Sequence, residues 1–345
     1  MRVLVTGHKG YIGTVLVPML QHAGHEVVGL DSDLFANCTY GSGIVEIPEI
    51  HKDIRDVALE DVQGFDVVMH LAGLSNDPLG DLNPDLTFDI NYHASVRLAE
   101  LSKQAGVERY IFSSSCSNYG AAGNDFVTEE AELHPVTPYG ESKVFVERDV
   151  TRLADSSFSP VFLRNATAYG VSPRLRFDLV LNNLVAWAFS SGKIFIKSDG
   201  SPWRPIAHIE DISRAFVAVM NAPRDVIHNE VFNVGRTEDN YQVRDLAQIV
   251  KETVPNCEVE YASDASPDKR NYRVDFSKIH RAIPEFKPQW DARKGAQELY
   301  QAYLSHGLTT EEFEGIKYKR IAHIKNLIST GQLDDTLRWR MFQTS

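Results

Sequence analysis

The sequence predicts an α/β protein, with a Rossmann-type doubly wound parallel sheet followed by a smaller mixed α/β C-terminal lobe. Three observations predict it. Short apolar runs alternate with helix-length amphipathic stretches through the first half of the chain. The first run ends in a glycine-rich turn that opens a helix, and the second ends in an aspartate. Past about residue 165 the alternation loosens, and between Ala262 and Pro288 proline and charge rise. Strands separated by helices of this length require a parallel sheet covered on both faces.

Taken in order, Val3 to Thr6 is the first strand and Tyr11 to Ala23 the first helix. Pro18 falls inside that helix, where it costs about 3 kcal/mol in an interior, so a kink or a late start is expected. His25 to Leu30, Asp66 to Leu71 and Tyr110 to Phe112 are further strands, and Leu86 to Ala105 is a long amphipathic helix. Residues 1–165 are thus expected to form a nucleotide-binding domain. Residues 166–345 are expected to form mainly the second lobe, with some strands and helices returning to the first domain. In this half, helices are expected at Asp178 to Ser190, Ile209 to Asn221 and Val243 to Thr253, and strands at Ile194 to Ile196 and Val231 to Asn233. The charged tail from Thr309 to Arg340 has helical periodicity and is expected to pack outside the lobe.

Bulk properties narrow the functions. The chain has 345 residues, 43% hydrophobic and 24% charged, an ordinary soluble balance. The formal net charge of -12 opposes binding to nucleic acid or to an anionic membrane. Anionic small ligands remain open, because helix N-termini and arginines act locally. Three distant cysteines form no CxxC pair or disulfide framework. No signal-like apolar region follows Met1 and no run reaches spanning length, so a cytoplasmic protein is expected. The histidines show no metal-site spacing, and no metal is expected.

The segment Thr6-Gly7-His8-Lys9-Gly10-Tyr11-Ile12-Gly13 has the spacing GxxGxxG between a strand and a helix. Glycines there permit a tight turn, a close approach of backbone to a diphosphate, and close packing of helix on strand. The helix N-terminus offers its unpaired N–H groups to phosphate. Asp31 ends the next strand, where a carboxylate accepts from adenosine ribose hydroxyls. With Asp33 nearby it opposes a 2′-phosphate, so NAD is expected over NADP. Asp53 and Ile54 are expected at the adenine edge. Leu71, Ala72 and Gly73 are expected under the cofactor at the end of a later strand.

Ser113-Ser114-Ser115 ends the next strand, and ligands sit beyond the carboxyl ends of parallel strands. Tyr139 and Lys143 lie four apart, one helical turn, and share a face. A phenol normally titrates near 10, and an ammonium beside it favours the phenolate. Tyr139 is then a base for a substrate hydroxyl, and a serine hydroxyl polarises the same oxygen.

Together these pieces resemble the extended short-chain dehydrogenase/reductase family, and within it the NAD-dependent nucleotide-sugar epimerases and dehydratases. The matching motifs are TGHKGYIG at 6–13, HLAG at 70–73, SSSCSNYG at 113–120 and YGESK at 139–143. LRNATAYG at 163–170, NNL at 182–184 and WRPIAHIED at 203–211 follow. They cover the first two thirds of the chain. The resemblance implies a catalytic set of Ser115, Tyr139 and Lys143. It implies cofactor contacts around Gly7, Gly10, Tyr11, Ile12, Gly13, Ser113 and Asn91, the last being the family's structural asparagine. It implies sugar-nucleotide contacts at Asn165 and Asn183, and a diphosphate clamp at Arg204, with Arg270 a second candidate. Ser75, in the segment running to Pro84, is expected in the sugar pocket. Relatives pair as dimers through two helices per subunit, which would here carry Leu98, Leu101, Val144 and Val146.

One departure bears on the reaction. Sugar dehydratases and decarboxylases of this resemblance carry a carboxylate just after the catalytic Ser/Thr. Here Cys116 and Ser117 stand in those positions. Water elimination loses its base, and Cys116 is either a buried core thiol or an acid/base group. The expected function is epimerisation of a nucleotide sugar, at C4, through a transient 4-keto intermediate. A keto-sugar reductase using NAD(P)H is the alternative, followed by a dehydratase or decarboxylase and by a non-catalytic NAD-binding module.

Overall fold

A computed structural model describes residues 1–41, 43–75, 83–120, 122–123, 125–262 and 271–340. Seven strands form the main sheet: β1 (Arg2–Thr6), β2 (Glu26–Asp31), β3 (Glu49–His51), β4 (Val67–His70), β5 (Arg109–Ser115), β6 (Ser159–Asn165) and β7 (Glu230–Val234). Their spatial order is β7-β6-β5-β4-β1-β2-β3, and every pairing is parallel. The order reverses between β1 and β4, which opens a crevice at the carboxyl ends of these strands.

The helices that matter here are α1 (Gly13–His22), α2 (Ala94–Gln104), α3 (Pro138–Val150), α4 (Val180–Ser191), α5 (Ile209–Asn221), α6 (Val243–Thr253), α7 (Ala292–His306) and α8 (Arg320–Ser329). One face of the sheet is covered by α1 and α5, with Leu16, Leu20, Ile212 and Phe216 fully buried. The other face is covered by α2 and α3 through Leu98, Val146 and Val150. A third apolar cluster joins α4, α6 and α7 through Leu181, Leu246 and Leu299.

Several local expectations are corrected. α1 begins two residues later than expected and runs through Pro18 without ending there. The proline's missing N–H costs one hydrogen bond, and Leu16, Val17 and Leu20 offset it by burial. The strand at Val231 to Asn233 belongs to the main sheet, where β7 pairs with β6. The helix from Leu86 to Ala105 contains a π turn, Asp89–His93. The tail from Thr309 packs against both cores. Phe313 and Tyr318 are buried in the lobe cluster, and Ile324, Leu327, Leu333 and Leu337 in the cluster beside β2.

Leu98 and Val146, expected on a dimer face, are fully buried inside the subunit. Among the described residues no helix is long and apolar enough to cross a membrane.

Candidate active site

A cavity of about 890 Å³ opens at the carboxyl ends of the strands and holds most of the residues singled out by sequence. Its floor is the glycine turn. Gly7 has φ +74°, and a Cβ there would lie 2.7 Å from the Ala72 nitrogen. A Cβ on Gly13 would lie 2.4 Å from the Gly7 oxygen, so helix and strand are in backbone contact. A Cβ on Gly10 would meet only the Gly7 oxygen at 3.0 Å and otherwise project into open space. No side chain caps α1, and its Thr14 and Val15 nitrogens donate to the Gly10 and Ile12 oxygens, so the phosphate face falls to the N–H groups just before them, at Tyr11 to Gly13. Tyr11 and Ile12 also line the cavity. The Tyr11 hydroxyl is spent on the Gly170 oxygen at 2.7 Å and pins the turn to the lobe.

The end of the cavity expected to hold adenosine is lined by Asp31, Asp53 and Ile54. Asp31 accepts from the Lys9 nitrogen at 3.0 Å and the Asp33 nitrogen at 2.8 Å. Burial raises its carboxyl above the usual range, against the pull of those two donors. Asp33 is neutralised by Lys9 at 3.2 Å and Arg174 at 2.9 Å. The case against a 2′-phosphate therefore rests on Asp31. Asp53 caps the short turn Ile54–Asp56 and holds Arg55 at 2.7 Å.

The reactive end is built by β5, β6 and α3. Thr137 caps α3 by accepting from Gly140, and Pro138 sets the first helical turn. Tyr139 and Lys143 therefore share one face, and both line the cavity. The Lys143 Nζ lies 5.7 Å from the Tyr139 ring centre. Burial lowers the lysine to about 8. Ser115 lines the cavity, and its Oγ accepts from the Ser117 hydroxyl at 2.8 Å. Asn165 ends β6 directly beside Ser115 and donates to the Ser113 Oγ at 3.1 Å. The Asn165 Oδ1 is buried with no hydrogen-bond partner. That orphaned acceptor, at the wall that Ser113 and Lys143 share, suits the carboxamide N–H of a nicotinamide.

Leu71, Ala72, Gly73, Ser75, Asn183 and Arg204 also line the cavity. Arg204, expected as the diphosphate clamp, is buried. Arg270 lies outside the described residues. Two residues named with the site do not line the cavity. Asn91 does not reach the cavity: its amide accepts from the Leu74 nitrogen at 2.7 Å and donates to the Leu74 oxygen at 3.0 Å. It shapes the loop after β4 from behind. Cys116 is fully buried, and its thiol donates to the Arg164 oxygen at 3.1 Å. Burial pushes the thiol well above its ordinary range, so it is a core group and no acid/base candidate.

Sequence reasoning missed many cavity residues, among them Ser117, Arg176 and Arg320. Ser117 reaches the cavity because the 3₁₀ turn Cys116–Tyr119 buries its neighbours Cys116, Asn118 and Tyr119 and leaves Ser117 facing outward. Arg176, bound to Asp178 at 2.6 Å and to the Ser75 oxygen at 3.2 Å, sits between the two lobes. Arg320 comes from the tail and had no motif to mark it.

Residues 3–235 match the family model described as the NAD dependent epimerase/dehydratase family. The chain belongs to this family. NAD is its cofactor, and the glycine cradle, Asp31 and the unpartnered Asn165 oxygen fit it. A UDP-glucose 4-epimerase of Neisseria meningitidis is 32% identical over 68% of this chain and 77% of its own length. A UDP-glucose 4-epimerase of Bacillus subtilis is 26% identical over 87% and 94%. Among solved structures, an NAD-dependent NDP-hexosamine 5,6-dehydratase of tunicamycin biosynthesis is 25% identical with a TM-score of 0.78. It covers 88% of this chain and 98% of that one. The UDP-glucose 4-epimerase of Thermotoga maritima is also 25% identical, with a TM-score of 0.76 over 88% and 99%.

Proposed function

We propose that this member of the NAD-dependent epimerase/dehydratase family is a nucleotide-sugar 4-epimerase. The observation that carries the reading is the composition of the reactive end. Ser115, Tyr139 and Lys143 line one cavity with the cofactor cradle, while the residues after Ser115 are a buried thiol and a serine. Hydroxyl oxidation is provided for, and the neighbouring carboxylate that would drive water elimination is absent from these positions.

NAD, when bound, supplies a reversible acceptor for the hydrogen on the sugar carbon. The Tyr139 oxygen takes the proton of the C4 hydroxyl and later returns it to the carbonyl oxygen. The Lys143 ammonium favours the phenolate form through that exchange. The Ser115 hydroxyl donates to the same oxygen. Between the two half-reactions the 4-keto sugar turns its other face. Proton and hydrogen both return, so the reaction is balanced without a second reductant.

The names of the relatives point first to a UDP-hexose. On the nucleotide side, Arg204 offers a guanidinium to the diphosphate. We further propose a homodimer through the half-buried Phe88, Tyr92, Val144 and Phe145, which lie together on the outer face of the α3 region. The reading is tested by Tyr139→Phe. It should keep bound NAD and lose UDP-glucose epimerisation by at least about a hundredfold. Undiminished turnover would reject Tyr139 as the base.

A further inference from the structure

The C-terminal extension crosses from the lobe to the main sheet over the adenosine end of the cavity. Three contacts fasten it there. The Trp339 Nε1 donates to the Ser32 oxygen at 2.6 Å. The His323 Nε2 meets the Leu34 oxygen at 3.1 Å. The Arg338 guanidinium forks onto both oxygens of Asp56. Ser32 and Leu34 lie one and three residues past Asp31, and Asp56 closes the turn that begins at Asp53. The extension is therefore latched to the same two segments that form the adenosine wall.

The start of α8 faces into this cavity with Arg320 and Ile321. The Arg320 guanidinium stacks 4.2 Å over the Phe35 ring. Among the described residues it makes no hydrogen bond or ion pair. Arg176 and Arg174 oppose its charge, while Asp178 and the Cys38 thiol favour it; Asp178 is already bound by Arg176 at 2.6 Å and Asp33 by Arg174 at 2.9 Å. Burial first, with the two like charges, outweighs Asp178 and brings Arg320 down to about 10. A desolvated cation beside two others is costly unless an anion comes to it.

Two diphosphates are expected in the cavity, one on each ligand. The surroundings of Arg320 favour the cofactor's. Phe35 lies four residues past Asp31, and Arg174 reaches the Lys9 oxygen of the glycine turn at 3.1 Å. Asn183 and Arg204 stand on other elements, α4 and the strand Trp203–His208.

We propose that Arg320 binds the diphosphate of the dinucleotide, and that the extension delivering it straps the cofactor in place. Release of NAD then requires the extension to detach. The inference rests on the dinucleotide occupying this cavity and does not depend on which sugar reaction is catalysed.

The test uses full-length protein carrying Arg320→Gln, Arg320→Lys or Trp339→Ala. The dissociation rate of labelled NAD, the affinity for UDP and the melting of NAD-free protein are measured for each. Arg320→Gln should release NAD at least about tenfold faster, the loss of one charge-assisted contact. Arg320→Lys should be intermediate, and Trp339→Ala should also quicken release by loosening the latch. UDP affinity should stay within about twofold of wild type, and NAD-free melting should not fall for Arg320→Gln. An unchanged NAD rate in Arg320→Gln overturns the proposal. So does a loss of UDP affinity with NAD unaffected, which would assign Arg320 to the sugar nucleotide. If wild-type protein binds no UDP, the proposed substrate fails while the NAD result still decides the role of Arg320.

Discussion

The Lys143 ammonium lies 2.8 Å from the main-chain oxygen of Ser113, tying α3 to the end of β5. The contact fixes the Lys143 cation beside Tyr139 at the strand that carries Ser115. It also holds a charge where water is excluded.

Lys143 is brought from 10.5 to about 8 by burial. A lysine lowered on folding disfavours the folded state once it is protonated. The penalty is absent above the unfolded value, grows as pH falls, and is complete below about 8. Lys143→Met should therefore raise stability at pH 7 by about 1–2 kcal/mol, after loss of the bond to Ser113. The gain should vanish near pH 10.5. Urea unfolding of both proteins at several pH values checks this. Turnover should fall by at least about a hundredfold.

Beneath the site, Arg164 and Glu147 form a buried ion pair at 2.7 Å. Glu147 also receives Asn118 at 3.0 Å, and Arg164 reaches the Tyr119 hydroxyl at 3.0 Å. Glu147→Ala strands a buried guanidinium and should cost about 3–5 kcal/mol. Denaturant midpoints measure it. Replacing both partners by apolar residues of similar volume should cost much less.

Gly13 leaves no room for a methyl group. A Cβ there would lie 2.4 Å from the Gly7 oxygen and 2.5 Å from the His8 oxygen, both backbone atoms. No rotamer relieves such a clash. Gly13→Ala should lose about 1–3 kcal/mol of stability and weaken NAD binding by at least about tenfold, read by calorimetry.

Much of this architecture was readable before the structure. Asp31, Ser113, Ser115 and Asn165 all close parallel strands, and apolar runs locate strand ends well. What was lost has physical causes. Asn91 lies in the π turn Asp89–His93, whose extra residue rotates the helix and breaks its periodicity, so the sequence does not show which way it points. Cys116 is turned inward by the 3₁₀ turn that follows Ser115, a direction set by packing on Arg164 and not by local pattern. Arg176 and Arg320 reach the cavity through long-range docking of lobe and tail. Such contacts leave no spacing to read in one dimension.

Proton NMR of the purified protein with UDP-glucose in deuterium oxide, without added NAD, follows the transferred hydrogen itself. A 4-epimerase of this kind forms UDP-galactose with no deuterium on the sugar ring, because the same hydrogen leaves and returns. Deuterium at a ring carbon would contradict it by requiring a proton-exchange route. A deoxy-keto or an unsaturated product would contradict it by showing that water had been eliminated.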